Sequence, residues 1–328
     1  MRVMLTGASG FLGGHLLAQL RAGGAEVCAL VRSEAAATAM SARGVEVVVG
    51  ALDDAQALQR ALGAPTDCVF HVAADTSPWR GHAQRQTDTN VGGTRAVLAA
   101  ARAHGVRRFV HTSSVSAHGR QEATLSEASP LLGAQSWITY ERSKAIAEQL
   151  VREAGADGAI ETVILNPAHI LGPGDTHNWA RLFLLIDRGK LPGAPPGSGV
   201  FADVREVARA QVAAWRSAPS GARYLLGGDQ ATFLELVQTI ARALGRKAPT
   251  HALPALVLRA YARVLDTLAL LTRREPELTP QSVAFTCHHL RVDSSAAIRD
   301  LDYRITPLVT LVDDTCAWLR AEGLLQAA

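Results

Sequence analysis

Arg2 to Leu5 read as a short strand that breaks at once into Thr6-Gly7-Ala8-Ser9-Gly10-Phe11-Leu12-Gly13. Few architectures begin this way. A strand that ends in closely spaced glycines and passes straight into a helix lets the backbone approach a ligand and aims free helix N–H groups at it. Behind the turn, Leu12, Leu16, Leu17 and Leu20 recur near one face, as an amphipathic helix requires. The spacing is GxxGxxG rather than the common GxGxxG. A glycine-rich turn can be no more than a tight connection, but its place after the first strand favours a nucleotide phosphate site.

The alternation continues through the first half. Strands are predicted at Glu26 to Val31, Val45 to Val49, Cys68 to Val72, Arg108 to Thr112 and Thr162 to Leu165. Helices are predicted at Ala55 to Leu62, Thr94 to His104 and Tyr140 to Glu153. Short apolar runs separated by helices imply a parallel sheet covered on both faces. Right-handed crossovers then make a Rossmann-type, doubly wound α/β sheet the simplest topology. After Pro167, Gly172-Pro173-Gly174 and Pro192 to Gly197 read as loops. Helical patterns follow at Asp203 to Arg216, Thr232 to Leu244, Ala255 to Leu271 and Leu308 to Glu322, with one more strand at Tyr224 to Leu226. A chain of 328 residues is long for one core. The expectation is a dinucleotide-binding domain over 1–167, with returning segments near 200–228, and a smaller, mainly helical substrate-binding region over 168–328.

Composition narrows the function classes. The net charge is +3 with arginine scattered rather than blocked, so no nucleic-acid partner is expected. The four cysteines, Cys28, Cys68, Cys287 and Cys316, form no CxxC pair, so no metal site is expected. Cys28 and Cys68 fall inside predicted strands and read as reduced, small hydrophobes. With no signal-peptide order at the start, a cytoplasmic location is expected. Arg259, Arg263 and Asp266 interrupt the most apolar stretch, which argues against a transmembrane segment. The 255–271 helix reads as a wall or lid of the substrate region. The alternative is peripheral membrane contact, with Arg259 and Arg263 near headgroups. A monomer or homodimer is expected.

Three positions suggest redox chemistry. Tyr140 and Lys144 share one face of a predicted helix. A phenol titrates near pH 10, and a neighbouring ammonium favours its phenolate, which makes it a usable acid or base. Thr112-Ser113-Ser114 follows the fifth strand, at the sheet end where ligands bind, and a hydroxyl there can polarise a carbonyl. The plainer readings are an amphipathic helix residue, a solvated lysine and a turn that bonds itself. The second strand ends in Leu30-Val31-Arg32-Ser33, without the acidic residue that binds an NAD ribose. Arg32 suits the 2′-phosphate of NADP, although a surface arginine would look the same. Asp53 can face an adenine or cap the following helix.

Taken in order, these motifs resemble the extended short-chain dehydrogenases/reductases. The resemblance rests on Thr6 to Gly13, His71-Val72-Ala73-Ala74, Asn90-Val91-Gly92-Gly93-Thr94, Val110 to Gly119, Tyr140 to Lys144, and Asn166-Pro167 through Asp175. It implies that Ser114, five residues before Gly119, binds the substrate oxygen, that Tyr140 transfers the proton, that Lys144 holds the nicotinamide ribose and tunes Tyr140, and that Asn90 supports the active-site structure. It further implies a cofactor site made by Gly7, Ser9, Gly10, Phe11, Leu12 and Gly13 at the phosphates and by Arg32, Leu52 and Asp53 around the adenosine. Ala73, Ala74, Asn90, Thr112, Tyr140, Lys144, Pro167, His169 and Ile170 complete that site. Ser77 and Trp79 follow the fourth strand, where substrate should pass, and Trp179 lies past the nicotinamide segment, so that with Thr76 and Ser114 they are expected to meet substrate; Trp137, three before Tyr140, is a further aromatic candidate, and ordinary packing would explain each tryptophan equally well.

Leu-Val-Arg-Ser, Arg107 to Ser114 and the tail from Glu275 to Trp318 are most similar to the dihydroflavonol-4-reductase-like and 3β-hydroxysteroid-dehydrogenase-like branch. That branch implies an NADP(H)-dependent reductase of a small, fairly apolar ketone or aldehyde, or a dehydrogenase of the matching alcohol, with NAD(H) less favoured. Asn166 and Leu171 stand where the family often has arginine and tyrosine, which argues against a sugar nucleotide. The competing expectations are an NAD-dependent sugar-nucleotide epimerase/dehydratase and a non-catalytic NADP-binding regulatory protein.

Overall fold

The structure, a computed structural model, describes residues 1–272 and 274–326. Its strands are β1 (Arg2–Thr6), β2 (Glu26–Val31), β3 (Glu46–Val49), β4 (Cys68–His71), β5 (Arg108–Thr112), β6 (Glu161–Pro167), β7 (His169–Leu171), β8 (Ser198–Asp203), β9 (Arg223–Leu226) and β10 (Asp229–Thr232). The helices are α1 (Phe11–Ala22), α2 (Glu34–Ser41), α3 (Ala55–Ala61), α4 (Ala83–Thr87), α5 (Gly93–Ala103), α6 (Thr139–Ala156), α7 (Ala180–Asp187), α8 (Val204–Ser217), α9 (Phe233–Leu244), α10 (Ala255–Thr272), α11 (Pro280–Thr286), α12 (Ser295–Leu301) and α13 (Leu308–Ala321).

Seven strands form one sheet in the order β3-β2-β1-β4-β5-β6-β9, every adjacent pair parallel. This is the doubly wound Rossmann-type architecture. Alternate residues of each strand feed opposite cores, because successive side chains point to opposite faces. Val3, Leu5, Ala29 and Val31 pack with Leu12, Leu16 and Leu20 of α1 and with Val207 and Trp215 of α8. Met4, Cys28 and Leu30 face Leu58 of α3, Val97 and Leu98 of α5 and Val151 of α6. Cys28 and Cys68 are buried strand residues, as read from their runs.

The chain reverses its strand order between β1 and β4, so the carboxyl ends of β1, β4 and β5 open onto a crevice. After β6 the course differs from the simple helical reading. A second sheet, β10-β8-β7, sits beside the main one, while β9 returns to extend the large sheet next to β6. Leu171, Phe201, Phe233, Leu236, Leu311 and Val312 make a third core between this small sheet and helices α7, α9 and α13. β9 falls on the strand expected at Tyr224 to Leu226, whereas β7, β8 and β10 are not anticipated, because they lie beside loop signals and pair with partners about thirty positions away.

Candidate active site

The carboxyl ends of the main sheet and the second-half elements enclose a cleft of about 1070 Å³. One end is built by the β1–α1 turn. Gly7 adopts a left-handed backbone (φ 75°), and a Cβ there would come within 2.7 Å of the Ala73 amide nitrogen. A Cβ on Gly13 would overlap the Gly7 carbonyl. Only glycine lets the turn, β4 and α1 come this close. The resulting cradle, with the N-terminus of α1 behind it, fits a dinucleotide pyrophosphate. Ser9, Gly10, Phe11 and Leu12 line the cleft there, and Arg32, Leu52 and Asp53 line it beyond the end of β2. The capping role open to Asp53 falls instead to Asp54, whose carboxylate accepts from the Gln56 and Ala57 amides at 3.0 Å.

Further along, Ala73, Ala74, Thr76, Ser77, Thr112, Ser114, Tyr140, Lys144, Pro167, His169, Ile170 and Trp179 line the same cleft. Widely separated residues therefore meet around one space. Lys144 is buried and donates to the Thr112 carbonyl at 2.7 Å. Burial pushes its ammonium down to about 8, opposed by the charge of Glu148 one turn along α6. The sequence reading expects Lys144 to favour the Tyr140 phenolate. The structure gives the opposite direction: burial raises the phenol, and hydrogen bonding to the Ser114 side chain pulls it back only in part. Desolvation outweighs the neighbours, so the resting phenol holds its proton.

A buried network fixes these groups. Glu148 accepts from Ser113 Oγ at 2.6 Å, from Asn166 Nδ2 at 2.6 Å and from Arg223 Nη1 at 3.2 Å. Asn166 Nδ2 also donates to the Ser114 carbonyl at 3.0 Å. The residue that replaces the family's frequent arginine thus works inside the protein, tying β6 to the serine segment, and the guanidinium facing Glu148 comes from β9. A second chain runs from the phosphate turn to α5. Thr6 Oγ1 accepts from the Val72 and Ala73 amides at 3.2 Å, so its own proton goes to His71 Nδ1 at 2.9 Å. His71 Nε2 then donates to Thr94 Oγ1 at 3.0 Å, and Thr94 donates to the Asn90 carbonyl at 2.6 Å. Burial and the Lys144 charge hold His71 down to about 3, so it stays neutral in that tautomer.

Three sequence candidates lie off the cleft. Asn90 is buried behind its wall in a π-helical turn over Asp88–Gly92, where it bonds the Asp75 backbone and Ser143 Oγ. It can hold the wall's shape but does not line the cofactor space. Trp79 is buried edge-on against His82. Trp137 is exposed beneath Arg120. Nearness in the chain to the motifs says nothing about the direction of either tryptophan side chain.

The structure adds lining residues the sequence reading omits, among them Phe233, Ser282, Phe285 and Thr286. Phe233 stacks on Trp179 with centroids 6.0 Å apart, and His169 lies against both rings. Burial holds His169 neutral, down to about 4. The capping box at Thr279, with Pro280 behind it, is the signal that marks the start of α11. No group of metal-ligating side chains occurs among the described residues.

The fold and this site define a Rossmann-type nucleotide-binding protein with a serine-tyrosine-lysine set at the ligand end of its sheet. The chain belongs to the NAD dependent epimerase/dehydratase family, whose model matches residues 3–227, and so to the extended short-chain dehydrogenases/reductases. It is 31% identical to sterol demethylase protein B of Methylococcus capsulatus over 99% of this chain and 100% of that one. It is 32% identical to 4-hydroxy-2-methyl-3-oxo-4-farnesyl-3,4-dihydroquinoline-1-oxide ketoreductase of Stigmatella aurantiaca over 92% of each chain. The crystal structure of gox2253 superposes with a TM-score of 0.84 at 28% identity, covering 99% of both chains. UDP-glucuronic acid 4-epimerase from Bacillus cereus, solved with UDP-glucuronic acid and NAD, shares the fold with a TM-score of 0.78 at 20% identity over 98% of this chain and 100% of that one. The family binds nicotinamide dinucleotides, and the relatives include named reductases and dehydrogenases.

Proposed function

We propose that the protein is an NADP(H)-dependent oxidoreductase that interconverts a ketone or aldehyde and its alcohol on a small, fairly apolar substrate. The carrying observation is that Ser114, Tyr140 and Lys144 line one cleft with the glycine turn and Arg32. The ketoreductase among the relatives supports the same reading.

In this reading Gly7 to Gly13 hold the pyrophosphate and Arg32 meets the 2′-phosphate through its forked donors. A bound nicotinamide would supply the hydride for reduction, or take it for oxidation. Ser114 donates a hydrogen bond to the substrate oxygen as negative charge develops there. Tyr140, kept protonated by burial, passes its phenolic proton to that oxygen; in the reverse direction it accepts the proton from the alcohol. Lys144, in the same cleft, steadies the negative charge that this leaves on the phenol. Trp179, Phe233 and Phe285 give the substrate side an apolar, aromatic wall. The second-half elements that carry them act as the substrate-binding region.

A screen of NADPH oxidation over ketones and aldehydes of graded size, with NADH in parallel, tests the proposal. Turnover of apolar ketones with preference for NADPH is expected. An absence of turnover with either cofactor, alongside NAD that copurifies and a sugar nucleotide that is epimerised, would replace this reading with the epimerase one.

A further inference from the structure

Helix α10 has two unlike faces. Leu258, Ala262, Asp266 and Ala269 are buried, with Leu258 and Ala262 packed on Val283 of α11. The other face turns Leu256, Val257, Tyr261, Val264, Leu268 and Leu271 outward, from 52% to 81% exposed. From Val257 to Leu271 these side chains recur in alternating steps of four and three, so they form one stripe along a helix of 18 residues, about 27 Å long. A continuous apolar stripe of that length is a contact surface rather than scattered exposure.

The charges around it select the partner. The one carboxylate in α10, Asp266, points inward and pairs with Arg80 at 2.9 Å. Arg259 and Arg263 are both exposed; by helical geometry Arg263 flanks the stripe, and Arg259 stands further round, toward Cys287 at the end of α11. The exposed surface of α10 therefore offers apolar side chains and guanidinium groups, with no acid of its own. A second copy of the same helix would bring more arginine and nothing to neutralise it. An anionic lipid surface supplies both complements, acyl depth for the stripe and phosphate for the arginines. No helix among the described residues is long and apolar enough to cross a membrane. The geometry is that of a helix lying in the interface rather than through it.

We propose that α10 docks this protein on an anionic bilayer surface, apolar stripe inward and Arg259 and Arg263 at the headgroups. Because α11 packs on α10 and contributes Ser282, Phe285 and Thr286 to the cleft, docking lays the outer wall of that cleft beside the lipid. The inference stands apart from the redox reading, since vesicle binding requires no turnover.

Flotation of the intact chain with vesicles of phosphatidylcholine and phosphatidylglycerol tests it. The unaltered protein is expected to float with them, and Val264→Glu and Leu268→Glu are expected to weaken partitioning by about tenfold each. Arg259→Gln with Arg263→Gln is expected to remove the preference for anionic over purely phosphatidylcholine vesicles. Both glutamates replace exposed side chains, so unchanged thermal melting separates lost docking from lost folding. Failure of the unaltered protein to float, or flotation that survives both glutamates, overturns the proposal. Equal flotation on phosphatidylcholine alone overturns the anionic assignment. A dimer in sedimentation velocity that the glutamates dissolve, with no flotation, gives the face to a second copy instead.

Discussion

The two walls of the cleft are built on different terms. The sheet-side wall holds each polar group by several bonds: Glu148 alone receives three donors, and Asn90 clamps both the amide and the carbonyl of Asp75. The opposite wall, from His169 through α11, meets the cleft largely with rings, whose packing has no comparable directional bonds. The first arrangement fixes atoms within the tolerance that proton transfer requires. The second, under the proposed function, would meet apolar ligands by shape. Under the proposed function, the chemistry falls to the hydrogen-bonded wall and the selectivity to the aromatic one.

Substitutions can break that comparison. The largest effect is expected for Tyr140→Phe, which should keep cofactor binding and lose about 10²- to 10⁴-fold in turnover; turnover within a few-fold of the parent in steady-state kinetics would remove Tyr140 from the proton step. Glu148→Gln should come next. It leaves Arg223 without its buried counter-charge, at about 3 kcal/mol in stability by denaturant melts. It also removes the charge that supports the Lys144 proton. The ammonium of Lys144 titrates at about 8, below its ordinary value, so in the parent kcat/KM should fall as pH rises through about 8. In Glu148→Gln that alkaline limb should move to lower pH, and Glu148→Asp should restore part of the shift. An unmoved limb would reduce Glu148 to a structural role.

Two smaller effects sharpen the contrast. Arg32→Asp should exchange preference from NADPH toward NADH by about tenfold to a hundredfold, the loss of one charge-assisted contact, with little change in the kcat for a saturating ketone. An unchanged cofactor ratio would return Arg32 to a solvated surface role. Phe285→Ala should raise KM for bulky apolar ketones by a few-fold and leave KM for NADPH alone. If it altered both equally, the division between a chemical wall and a selective wall would fail.

Legibility followed the range of the interactions. The first six strands of the main sheet could be read from apolar runs and turn residues, because strand and crossover helix are written locally. Helix α2 escaped notice although Ser33 caps it by accepting from the Ala36 amide. The small sheet could not be read: β7 is three residues long and pairs with β8 about thirty positions away. The same limit applied to the site. Tyr140 and Lys144 announce themselves by helical spacing, whereas Trp79 and Trp137 were placed by proximity in the chain and face elsewhere. Phe233 and Phe285 carried no spacing signal toward the cleft.

What the sequence determined by itself is the backbone logic of the nucleotide end. Glycines at 7 and 13 specify a turn that admits no Cβ, and a tyrosine and lysine one helical turn apart share a face whatever surrounds them. Only the tertiary structure decided the proton affinities and the shape of the opposite wall. Those depend on how far water is excluded and on which distant side chain fills each space, as when burial moves the Tyr140 phenol up against the influence of its neighbour.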